Sequence, residues 1–208
     1  MVMQKIQFQG ETYQVSFEAM PQALKKTLSK EELTNYLQLL EEVQKTPKKV
    51  YEKVKAFCQN HLDVPEIINL LTFAHIRNRQ IKEAEKLIRE TFENYPHYLF
   101  ARINYADQCL RKKKLEKIPE LFPSYSLKEL CPDKRVFHTS EFRGFMVFMS
   151  YYFLALEDKE KALLYFSAAK EADPADLGVI YLERKLFRVP FLKKIGRLLM
   201  GKTVKVQL

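Results

Sequence analysis

Glycine is scarce in this chain, with five in 208 residues. Nucleotide-binding α/β enzymes spend glycine on phosphate loops and on tight turns from strand to helix. No GxGxxG occurs, which argues against a dinucleotide fold. Cysteine is scarce too: Cys58, Cys109 and Cys131 are odd in number and widely spaced, as expected of reduced, core-packing thiols. No CxxC accompanies them, and His61, His75, His97 and His138 lack metal-ligand spacing. No apolar run approaches the roughly 18 residues that cross a bilayer. The opening residues turn polar too early for a secretory signal. Together these absences predict a soluble, cytoplasmic chain with no cofactor, metal or small-molecule substrate. No nucleophile, base and orienting group share a pattern, so an enzyme is not expected.

The net charge of +9 is concentrated at one end. Residues 183–208 hold eight Lys and Arg against the single acid Glu183, which accounts for seven of those nine charges. Within this tail, Phe191, Leu192, Ile195, Leu198 and Leu199 fall on one helical face, and Lys193, Lys194 and Arg197 on the other. A basic amphipathic helix of this kind has three readings. It caps the end of a helical stack, rests on an anionic membrane, or contacts nucleic acid.

At the other end, residues 5–17 alternate: Ile6, Phe8, Tyr13, Val15 and Phe17 are apolar, with Gly10 at the turn. This spacing predicts a β-hairpin. Residues 203–208 alternate similarly and are compatible with a third strand. From Pro21 onward the pattern is helical. Ser29 and Glu32 form a capping-box signal, followed by an apolar face at Leu33, Tyr36, Leu37 and Leu40. Pro47 suits the first turn of the next helix, lined by Val50, Val54 and Phe57. Further helices are predicted at 65–78, 81–94, 98–110, 141–156 and 177–188. A helix starting at Leu115 meets Pro119 and Pro123 and must be short or kinked. Arg111 to Lys114 sit at a helix C-terminus, where the dipole suffices to explain four cations.

Two of these stretches match at a spacing of 78 residues. Ala84 recurs as Ala162 and Pro96 as Pro174. Ile68, Leu71 and Thr72 recur as Met146, Met149 and Ser150, and Ile88 and Thr91 as Phe166 and Ala169. The offset equals two periods of roughly 34 residues with about ten more lodged between them. Size is kept at each place: small residues where two helices approach, large ones where they interlock.

In these residues the chain resembles the tetratricopeptide repeat (TPR) family. The match is best at 143–176, weaker at 65–98, where His75 and Thr91 depart from the usual choices. It is weakest in the middle, where Ile118 stands at a small-residue position. The resemblance implies an all-α fold: a short right-handed α-α superhelix preceded by a small N-terminal β-hairpin. The expected organisation is a hairpin arm at 1–18, a helical repeat domain at 19–182 and a basic tail at 183–208. The repeats would be 31–64, 65–98, 99–142 with an insertion, and 143–176.

By the same resemblance, such chains are adaptors that receive a partner peptide or helix on a concave face. The expected groove residues are Asn69, Phe73, Ile76, Phe100, Ile103, Asp107, Val147, Tyr151 and Leu154, with Glu66, Leu110 and Gly144 on the same line. The set is mostly apolar and lacks the cations that a carboxylate-gripping subgroup needs. Two alternatives stay open. The insertion, the hairpin or residues 1–28 fill the groove themselves, or the tail does the binding at a membrane or nucleic acid. A secretion-type chaperone is a minor alternative, since those chains are more often acidic.

Overall fold

The computed structural model describes residues 3–18 and 22–187. Strands β1 (Gln4–Phe8) and β2 (Glu11–Ser16) pair antiparallel, with Ile6 opposite Tyr13. Gln9 (φ 50°) and Gly10 (φ 79°) join them in a two-residue turn. Positive φ at both positions gives the twist that hairpin strands need. Ile6, Phe8, Tyr13 and Val15 are buried as the alternation requires, but Phe17 is 65% exposed. It lies one residue beyond β2, where pairing has ended.

Eleven α-helical segments are described: α1 (Gln22–Thr27), α2 (Lys30–Lys45), α3 (Pro47–Gln59), α4 (Pro65–Arg77), α5 (Ile81–Asn94), α6 (Leu99–Arg111), α7 (Ile118–Leu121), α8 (Leu127–Leu130), α9 (Thr139–Ala155), α10 (Lys159–Ala172) and α11 (Leu177–Leu186). The capping box at α2 is formed. The Glu32 amide donates to Ser29 Oγ at 3.2 Å, and the Ser29 amide donates to Glu32 Oε2 at 2.8 Å. Pro47 and Pro65 open α3 and α4, where a missing N–H costs nothing. The apolar face of α2 differs from the expected one. Tyr36, Leu39 and Val43 are buried, whereas Leu37 is 41% exposed. Both α3 and α4 pack against α2, and they select the stripe facing them.

Successive long helices pack in chain order, α2 on α3, α3 on α4, α4 on α5, α5 on α6, then α6 on α9, α9 on α10 and α10 on α11. One turn geometry recurs. Arg79, Lys113 and Glu157 have φ of 62°, 58° and 62°. Each follows a helix whose end is closed by the same long hydrogen bond: Gln80 N to His75 O (2.9 Å), Lys114 N to Cys109 O (2.9 Å) and Asp158 N to Phe153 O (3.0 Å). This is the left-handed helix stop usually built on glycine, made here without one. The turns are separated by 34 and then 44 residues, so the ten extra residues fall between the second and third.

Those residues do not form a surface loop. After Lys114 the chain makes a single 3-10 turn (Leu115–Lys117) and the one-turn α7, then stops before Pro123. Ile118, Phe122, Leu127 and Phe137 are all almost wholly buried. Phe122 stacks edge-on to Phe145 (5.7 Å between centroids) and lies 5.4 Å from Phe148. Strand β3 (Val136–His138) then pairs parallel with β2, Val15 opposite Phe137. The third strand of the sheet therefore comes from the insertion; residues 203–208 lie outside the described residues.

The core has two main parts. One joins the hairpin, the insertion, α6, α9, α10 and α11, and the other joins α1 to α4. Helix α9 is enclosed because three neighbours share it. Its Phe142 meets Tyr13 (5.1 Å), while Phe8 and Phe153 both reach Tyr165 of α10 (4.9 and 5.4 Å). Ser150 and Ala162 are fully buried where α9 and α10 touch, and Thr72 and Ala84 are buried on α4 and α5. The expected start of the basic tail at residue 183 lies within a helix. Helix α11 runs through it to Leu186, with Leu182 and Leu186 both buried, so the first basic residues of the tail belong to the helical body.

Candidate partner-binding groove

The first helices of the successive pairs, α4, α6 and α9, lie side by side. Asn104 Nδ2 of α6 donates to Asn69 Oδ1 of α4 at 2.8 Å. On the next seam, a Cβ at Gly144 of α9 would stand 3.6 Å from Phe100 Cε1 of α6. That is an ordinary van der Waals distance, so the seam has room for a methyl group but not for a large side chain. Further along α9, burial and then the Asp107 charge push the Tyr151 phenol up. The ammonium of Lys185 on α11 sits 4.9 Å from the centre of the Tyr151 ring, within cation–π range.

Phe73, Asp107, Tyr151 and Lys185 each occupy the ninth place of their segment, 34, 44 and 34 residues apart. Of these, Tyr151 and Lys185 are in contact, and the Asp107 charge acts on Tyr151. Lys185 was readable from that spacing, but its relevance depends on α11 continuing the series of first helices. Arg111 pairs with Asp107, with Nε to Oδ2 of 2.9 Å.

The remaining expected residues divide by burial. Phe73, Phe100, Val147, Tyr151 and Leu154 are half-buried, each resting on the core beneath it while keeping an accessible side. Ile76 is 42% exposed. Asn69 is half-buried and satisfied by Asn104, and Asp107 is held by Arg111. Ile103 is buried in the core, so it supports the face rather than presenting itself to a partner. Glu66, on the same line, is buried as well.

The hairpin and insertion do cover α9, but elsewhere. The ring contacts of Tyr13, Phe122 and Tyr125 go to Phe142, Phe145, Phe148, Tyr152 and Phe153. Gly144, Val147, Tyr151 and Leu154 lie on a different stripe of the helix and remain partly open. At the N-terminal ends of α4, α6 and α9 the insertion comes closer to the expected groove. Lys134 binds Glu141 Oε1 at 2.5 Å and also acts on the Glu66 carboxyl.

The reactive side chains are held inert. Burial pushes the Cys58 thiol up to about 12, and burial also raises Cys109 and Cys131. None is primed as a thiolate. His75 Nδ1 lies 2.8 Å from Gln80 Oε1 and 3.1 Å from the Tyr51 hydroxyl, a satisfied polar contact inside the packing. His138 Nδ1 accepts from the Ser140 amide at 3.2 Å, and its Nε2 donates to Phe17 O at 3.1 Å. It ties the insertion to the hairpin. Among the described residues no group of three His, Cys, Asp or Glu is placed to hold a metal ion, and no helix is long and apolar enough to cross a membrane.

Lys193, Lys194 and Arg197 lie outside the described residues, as does the whole amphipathic run from Phe191. So does a run that spells phosphate-loop spacing, Gly196-Arg-Leu-Leu-Met-Gly201-Lys202-Thr203. A phosphate loop follows a strand and opens a helix. Here Ile195, Leu198 and Leu199 belong to the helical face described from the sequence, which makes the spacing alone a weak signal. No protein-family model, curated protein or solved structure is matched by the chain.

Proposed function

We propose that this chain is a TPR-like protein-interaction adaptor that receives an amphipathic helix or extended peptide along α4, α6 and α9. The carrying observation is that Tyr151 and Lys185, equivalent residues of α9 and α11, meet at 4.9 Å, with the Asp107 charge of α6 acting on the same Tyr151 phenol. The three matching left-handed turns at Arg79, Lys113 and Glu157 support the same repeat reading. Phe73, Ile76, Phe100, Val147, Tyr151 and Leu154 supply the contact area. Half-buried aromatic and branched side chains on a rigid helical base bind at little entropic cost. Asp107, Arg111 and Lys185 add charges of both signs at one end and set the orientation of the partner. Ile103 contributes only through the packing beneath.

The test uses affinity capture from the native cell with the full-length chain and with a Phe100→Asp, Tyr151→Asp double variant. Both residues are half-buried, so the variant keeps its helicity by circular dichroism while losing the partner retained by the wild type. Equal capture by the two proteins, both folded, would exclude this face.

A further inference from the structure

Glu66 is the second residue of α4, on the groove line, and is 8% exposed. Its Oε2 is sealed from solvent and has no hydrogen-bond partner. A buried carboxylate oxygen left unpaired carries its full desolvation cost. Burial pushes the Glu66 carboxyl up. Its own backbone N–H and Lys134 oppose this, and Glu141 adds to it. The cluster thus holds two carboxylates, Glu66 and Glu141, and one ammonium, Lys134, which is bonded to Glu141. No cation is bonded to Glu66 Oε2.

Two tyrosines complete the surroundings. Burial, then the Glu66 charge, raise the phenols of both Tyr36 on α2 and Tyr98 at the start of α6. Tyr98 also meets Phe100 edge-on at 6.0 Å, so the cluster is continuous with the apolar groove.

Resting on the adaptor reading, we infer that the groove's partner carries a lysine or arginine beside its apolar face, and that this cation docks at Glu66. The incoming group displaces the atoms that now cover Oε2. Lys134 stays with Glu141, to which it is bonded at 2.5 Å. Glu66 then acts as the charge selector at the N-terminal end of the groove, opposite the end marked by Asp107 and Lys185.

The test is a selection of displayed helical peptides against the full-length chain, run in parallel on wild type and Glu66→Gln. The expected result is enrichment on wild type of peptides with one fixed Lys or Arg beside an apolar stripe. Such peptides should bind Glu66→Gln about tenfold more weakly or worse, and their norleucine analogues should lose the same factor on wild type. The norleucine arm holds whether or not the Glu66 variant folds well. Enriched peptides without a fixed cation, or with one indifferent to Glu66→Gln, would overturn the inference. If those peptides still lose binding on Phe100→Asp with Tyr151→Asp, the groove reading survives alone. No enrichment, or enrichment indifferent to all three substitutions, would remove both.

Discussion

The Ser150 hydroxyl donates to the Ala162 carbonyl at 2.7 Å, across the seam between α9 and α10. Both residues are fully buried. The bond exists because neither side chain is large enough to hold the two backbones apart. Ser150→Ala should lower stability by about 1 kcal/mol through the lost bond. Ala162→Leu should lower it by about 1–3 kcal/mol by overpacking. Thermal and denaturant melts decide this, and an Ala162→Leu protein as stable as wild type would mean the helices are not in close contact there.

Arg79, Lys113 and Glu157 occupy left-handed backbone that L side chains resist. Glycine relieves that strain but frees the unfolded chain, which offsets part of the gain. Each of Arg79→Gly, Lys113→Gly and Glu157→Gly should therefore raise stability by about 0.5 kcal/mol. All three side chains are exposed, so little packing is lost. A lower melting temperature for all three would show that these turns do not hold positive φ.

His138 couples the insertion to pH. Burial holds its imidazole below the ordinary value of 6.5, although the Phe17 carbonyl and Glu141 favour the charged form. A proton on Nδ1 would also abolish the acceptor that caps α9. For a histidine whose folded pKa is depressed, the stabilisation is present above 6.5 and is lost as pH falls through the folded value. Stability should decline as pH falls below 6.5, and His138→Asn, which caps without titrating, should flatten that decline. An unchanged slope in denaturant titrations would assign the decline to other groups.

Glu66 works in the opposite direction. Its folded pKa is raised above 4.5, so the folded state holds the proton longer than the unfolded chain. Its contribution to stability falls as pH rises past 4.5. Glu66→Gln should stabilise the chain near neutral pH, with the advantage vanishing in acid. Melts at pH values on both sides of 4.5 check this. A variant less stable than wild type at neutral pH would mean that Glu66 already has its counter-charge.

Gly144 of α9 faces Phe100 of α6. An alanine there meets Phe100 at an ordinary contact distance of 3.6 Å and removes a helix-interior glycine. Gly144→Ala should gain up to about 1 kcal/mol. Gly144→Leu has no such room and should separate the two helices, which loss of the Phe100 to Gly144 contact in NMR spectra would reveal.

Much of the helical framework was legible. The bounds of α5 follow from Gln80 and Tyr95 on either side of an amphipathic run, and the capping box at Ser29 was readable from two residues. These features are local: periodicity, caps and prolines act within a turn or two of chain. The hairpin was legible for the same reason. The buried stripe of α2 was not, since Leu37 and Leu39 are equally apolar and only the placement of α3 and α4 chooses between them.

The sequence by itself determined where most helices start and stop and that two stretches match 78 residues apart, because backbone propensity and side-chain size are written position by position. Only the tertiary structure decided that Val136–His138 pairs with a strand more than 110 residues earlier, that Ile103 and Glu66 turn inward, and that Tyr151 meets Lys185. Those outcomes depend on which surfaces meet across the fold, and burial at such a meeting is a property of both partners, carried by neither stretch of sequence alone.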